Sequence, residues 1–129
     1  MRILAHDVAA FVAKRAGLTF HDLCCQRRSR AYARPRQIAM YLIRELCPHM
    51  SYPAIGRMLG WRDHTTILHG VRNVASLIPT NEEVAAEVVA GLSFFRQADN
   101  ELDAQIVEAA GHLGSLILLR RRASQEAAA

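Results

Sequence analysis

Lysine is nearly missing from this chain. Of 16 basic residues in 129, fifteen are arginine and Lys14 is the exception. Helix breakers are also few, with seven glycines and four prolines. No Val-Ile-Thr alternation marks half-buried strands, so a β fold is excluded and an all-α fold is favoured. Cysteine is sparse and odd in number: Cys24, Cys25 and Cys47, the first two adjacent. That excludes a disulfide framework, and without a C-x-x-C pair a structural zinc site has no basis. Reduced thiols are the simpler account. His6, His21, His49 and His112 are scattered without metal-ligand spacing. The N-terminus has no charged-then-apolar signal region. No apolar run approaches the about 18 residues that span a bilayer. The expectation is therefore a soluble, cytoplasmic protein with no metal and no membrane partner. A phosphate-cradling G-x-x-x-x-G-K-S/T stretch is absent as well, so neither nucleotide nor cofactor is expected.

What is present is enough apolar residue, 51% of the chain, to build one core at this length. The charge is unevenly placed. Residues 1–72 carry 12 basic and 4 acidic side chains, whereas residues 73–129 carry 4 basic and 8 acidic. The first part is suited to an anionic partner and the second is not. Arginine adds a planar fork that grips phosphates or guanine edges at two points.

Helical periodicity runs through the chain. Val8, Phe11, Val12 and Ala16 make one stripe over residues 5–16, and Gly17 suits a left-handed cap. Thr19-Phe20-His21-Asp22 resembles a capping box opening a short helix over 20–25. Residues 26–36 hold five arginines and no acid, which reads as a basic loop. Pro35 then suits the first position of a third helix to about residue 47, leaving free N–H groups beside the arginines. Ile38, Met40, Leu42 and Leu46 make that helix a buried one.

Ser51 caps a short helix with Pro53 in its first turn, and Gly60 turns the chain. Asp63 caps the next helix. Ile67, Leu68, Val71, Val74 and Ile78 line its core side, and Thr65, His69, Arg72, Asn73 and Ser76 line the other. Residues 51–72 thus read as a helix-turn-helix whose second helix opens on polar residues suited to base edges. Asp63-His64-Thr65 is not a catalytic triad, because consecutive helical residues point about 100° apart. No enzyme activity is expected. Thr80 or Asn81 caps a further helix ending near Ala98, and a separate amphipathic helix is expected from Asn100 to Leu119, followed by a frayed tail. The expected architecture is a compact bundle of six to seven helices. Its domains are a DNA-binding unit at 1–98 and an additional piece at 99–129. The helix at 100–119 is a candidate surface for a homodimer or a protein partner.

Specific stretches resemble the C-terminal DNA-binding domain of the DnaA family of bacterial replication initiators. They are Arg27-Arg28-Ser29-Arg30, Ala33-Arg34-Pro35-Arg36-Gln37-Ile38-Ala39-Met40, Ser51-Tyr52-Pro53-Ala54-Ile55-Gly56 and Gly60-Trp61-Arg62-Asp63-His64-Thr65-Thr66-Ile67-Leu68-His69. The resemblance covers roughly residues 5–96 and implies a Trp-repressor-like helix-turn-helix bound to double-stranded DNA at a short, asymmetric, A/T-rich box. It places such a protein on the bacterial nucleoid, regulating replication initiation or transcription. Carried over by position, Asp63, His64, Thr65 and Thr66 meet bases, and Pro53 and Leu68 touch thymine methyls. Arg28 enters the minor groove. Arg34, Arg36, Gln37, Arg62 and Arg72 hold phosphates.

The chain departs from the family pattern at several places. Without a phosphate loop, ATP-driven assembly is not expected. The linker Cys47-Pro48-His49-Met50 is one residue longer than usual. Trp61 stands where a small residue is common, Gly70 where alanine or serine is usual, and Asn73 where a basic residue is common. The rival reading is a protein-interaction module on the same fold with DNA affinity lost. The retained arginines and the intact Arg62–Thr66 stretch weigh against it.

Overall fold

The computed structural model describes the backbone of residues 3–110 and the side chains of residues 3–98. Six α-helices and no strands occur among the described residues: α1 (Ala5–Arg15), α2 (Phe20–Cys24), α3 (Arg30–Leu46), α4 (Tyr52–Met58), α5 (His64–Leu77) and α6 (Glu82–Ala110). The all-α expectation holds. Residues 2–95 form one compact unit.

Local chemistry accounts for most helix ends. Gly17 has φ +74°, and the Gly17 and Leu18 amides donate to the Lys14 and Ala13 carbonyls. This paired pattern closes α1 as a Schellman motif. Thr19 and Asp22 form the expected reciprocal box, at 2.9 and 3.2 Å. The Ser51 hydroxyl accepts from the Ala54 amide at 3.2 Å, and the Asn81 side chain accepts from Val84 at 3.1 Å.

Two helix boundaries differ from expectation. Helix α3 begins at Arg30, so Pro35 lies inside it rather than at its first position. Arginine and alanine are strong helix formers, and they carry Arg30–Arg34 into helix once the Ser29 carbonyl accepts from the Tyr32 and Ala33 amides. Pro35 then forgoes a single bond to the preceding turn, and the free N–H groups of the helix start lie at Arg30 rather than at Pro35. The basic loop shrinks accordingly to residues 25–29. Helix α6 continues past Ala98 to Ala110 without the expected break. Residues 96–103 contain neither glycine nor proline, so nothing there stops propagation. The expected continuation through Leu119 and the tail at 123–129 lie outside the described residues.

Helix α3 is the hub of the core and packs on α1, α2 and α5. Ile38, Ala39, Met40, Leu42 and Ile43 are buried along it. They meet Val8, Val12, Leu23, Ile55, Leu59, Ile67 and Val74 from the surrounding helices, with Val84, Val88 and Phe95 contributed by α6. The long linker after α3 is tied down. The Arg44 guanidinium donates to the Met50 carbonyl at 3.1 Å and lies 4.9 Å from the Tyr52 ring centre. The Cys47 thiol donates to the Ile3 carbonyl at 3.2 Å, and burial pushes its pKa up.

Candidate nucleic-acid interface

The turn between α4 and α5 is unusually constrained. Gly56 packs its Cα against the Arg62 carbonyl, where a Cβ would collide with backbone. The Arg62 amide in turn donates to the Gly56 carbonyl at 2.8 Å. Gly60 has φ +86°, a left-handed conformation that favours glycine, and lies against the Cys24 carbonyl. These contacts fix the angle at which α5 leaves the turn.

Asp63 caps α5. Its carboxylate accepts from the Thr65 amide at 3.2 Å and lies 2.9 Å from His64 Nδ1. The bond from the Thr65 amide is the first cause holding its pKa below the usual carboxylate range. The first turn of α5 therefore presents Asp63, His64, Thr65 and Thr66, all exposed. His69, Arg72, Asn73 and Ser76 continue the exposed face, and Ile67, Gly70 and Val74 are buried opposite. Leu68 is half-buried, and Pro53 is exposed at the start of α4.

The basic loop connects α2 to α3. Arg27 Nη1 donates to the Tyr32 hydroxyl at 3.1 Å, and its guanidinium stacks on that ring at 5.2 Å. Arg28 is exposed and has no hydrogen bond or ion pair among the described residues. Of the two neighbours, Arg28 is the one left to reach outward. Arg34 and Gln37 are half-buried on α3, and Gln37 accepts from Asn73 on α5 at 2.7 Å. Asn73, which stands where a basic residue is common, thus links the two helices.

Arg36 is placed otherwise than expected. It is only 5% exposed. Its Nε donates to the Leu23 carbonyl at 2.6 Å, and its Nη2 to the Cys25 and Arg27 carbonyls at 2.9 and 3.0 Å. Nε and Nη2 are thus engaged inside the protein, a structural role for Arg36 beside the phosphate contact expected of it. Arg62 is half-buried and does similar work from the other side. Its guanidinium donates to the Cys25, Leu59 and Cys24 carbonyls. Burial first, and the nearby Arg36 charge second, lower the Arg62 pKa. Two guanidiniums thus converge on carbonyls at the negative end of the short helix α2, with those of Arg27 in the loop and Leu59 after α4. They clamp the basic loop to the turn of the helix-turn-helix. Sequence reasoning missed this clamp, although a signal existed: Arg36 falls three, four and seven residues before Ala39, Met40 and Ile43, on the buried stripe of α3.

A family model described as the bacterial dnaA protein helix-turn-helix matches residues 5–74. The chromosomal replication initiator protein DnaA of Sphingopyxis alaskensis is 46% identical over 89 residues, which cover 69% of this chain and 19% of that protein. The initiators of Rhizobium meliloti and Agrobacterium fabrum are each 42% identical over 87 residues, 67% of this chain and 18% of theirs. The chain therefore spans under a fifth of the length of these relatives.

Proposed function

The chain belongs to the bacterial DnaA helix-turn-helix family, a DNA-binding and non-catalytic one, and on that premise we propose that it reads a short, A/T-rich duplex box from both grooves. Helix α5 lies in the major groove, with Asp63, His64, Thr65 and Thr66 at base edges and Leu68 and Pro53 against thymine methyls. Arg28 enters the adjacent minor groove, whose narrow A/T form attracts a guanidinium. Arg34, Arg36, Gln37, Arg62 and Arg72 border the phosphates. Binding at such boxes regulates replication initiation at the bacterial nucleoid. The observation that carries this reading is the exposed polar turn opening α5, joined through the clamp to the loop that carries the exposed Arg28. Residues 1–98 suffice for reading, and residues 99–129 are an addition to them.

Gel-shift titration against a DnaA-type box and a scrambled duplex, each at two salt concentrations, tests this. The matched duplex should bind tighter, and log affinity should fall by about 0.9 per phosphate contacted for each decade of salt. Equal affinity for both duplexes would sink the specific reader.

His64→Ala or Thr65→Ala should cost about 1–3 kcal/mol on the matched box and much less on the scrambled one. Competition with duplexes altered one base pair at a time would locate the lost preference. Arg28→Ala should instead abolish discrimination against G/C substitution only at the pairs facing the minor groove. Retained discrimination there would move Arg28 out of that groove.

A further inference from the structure

Trp61 is the chain's single tryptophan. It is 81% exposed and has φ +60°. Both properties are unfavourable for this residue. Large aromatic rings gain by burial, and a left-handed backbone crowds any side chain larger than glycine. The conformation persists because both neighbours are pinned. Gly60 is lodged against the Cys24 carbonyl, and Arg62 is held through its amide and its guanidinium. The turn thus holds an exposed indole just before Asp63, the cap of α5. The indole has no hydrogen bond or ring contact among the described residues. An outlier of this kind, next to a ligand-facing turn, points to a role in binding.

We propose that Trp61 is an additional DNA contact, its indole N–H donating to a phosphate oxygen and its ring lying on deoxyribose at the edge of the box. This rests on the reading of α5 as a duplex reader. The chemistry matches on both counts. Indole is a donor without an acceptor, and the DNA backbone offers acceptors with apolar sugar faces between them. Arg62 is adjacent in sequence, and the loop that carries Arg28 is clamped to the same turn. A backbone contact adds affinity without adding sequence preference, so Trp61 supplements the base-reading residues.

The single tryptophan is its own reporter. Titrating the intact protein with the box duplex should quench and shift its emission, with the midpoint found by gel shift. Trp61→Gly, which relieves the left-handed strain, should raise the melting temperature. It should also weaken matched and scrambled duplexes alike by roughly three- to tenfold, the range of one net hydrogen bond. Trp61→Phe should fall between the two. Unchanged emission at a duplex concentration that gel shift shows to be saturating would overturn the contact, and so would Trp61→Gly binding with parental affinity. Such results would leave the indole to a protein partner and leave the duplex reader standing. Failure of the parent protein to shift any duplex would instead remove the reader, and this contact with it.

Discussion

Replacing Arg36 with methionine should destabilise the fold by on the order of 3 kcal/mol and loosen DNA binding on every duplex. Methionine keeps most of the stem and its packing against the core but donates nothing. The carbonyls of Leu23 and Arg27 then lose their charged donor, the Cys25 carbonyl keeps only Arg62, and the Leu23 bond is a buried one. A buried acceptor left unsatisfied costs more than the mean hydrogen bond contributes. For a unit of this size the melting temperature should fall by roughly 10–20 °C. Lysine should rescue little, because a point charge cannot fork across several carbonyls. The binding effect should come through Arg28, whose loop is no longer fixed. Arg28→Ala should therefore cost far less in the methionine variant than in the parent, a coupling that a double-mutant cycle measures. Additive losses would show that Arg36 does not position the loop. An unchanged melting temperature would show that its carbonyl bonds contribute little.

Gly56→Ala is the second large effect, about 3 kcal/mol of stability with a loss of specific binding. The added methyl meets the Arg62 carbonyl, which is backbone and has no flexible end to turn aside. Either α4 separates from the turn or the turn moves, and both break the bond from the Arg62 amide to the Gly56 carbonyl. Helix α5 would leave at a new angle, so the matched duplex should suffer more than the scrambled one. Gly70→Ala is the control. There the methyl meets the sulfur of the buried Met40, a side chain that can change rotamer where backbone cannot, and alanine improves helix propensity by about 1 kcal/mol. Urea unfolding should show a large drop in midpoint for Gly56→Ala and a small change of either sign for Gly70→Ala. Equal drops would mean that the close approach at Gly56 is not special.

These variants also mark where the sequence was legible. Caps at Thr19, Ser51 and Asp63 depend on atoms within three residues, so composition and spacing reveal them. The exposed and buried faces of α5 follow from helical period alone. The start of α3 does not follow from Pro35, because the helix formers ahead of it extend the helix back to Arg30. The apolar stripe pauses between Phe95 and Leu102, which suggests two helices, but no breaker lies there and α6 runs on. The charge of Arg36 suggests a phosphate contact, whereas its register on α3 gives it a buried structural role that charge alone does not reveal. The left-handed backbone at Trp61 could not be seen at all, since it is imposed by contacts of Gly60 and Arg62 with a segment more than thirty residues earlier.

The clamp has a consequence for the thermodynamics of association. A basic arm that is free in solution must be ordered when it enters a groove, at roughly 1–2 kcal/mol of backbone entropy per residue. Here residues 25–29 are ordered by Arg36 and Arg62 during folding, long before any duplex arrives. Binding then carries little ordering entropy, and its heat-capacity change should reflect the buried contact surface alone rather than coupled folding.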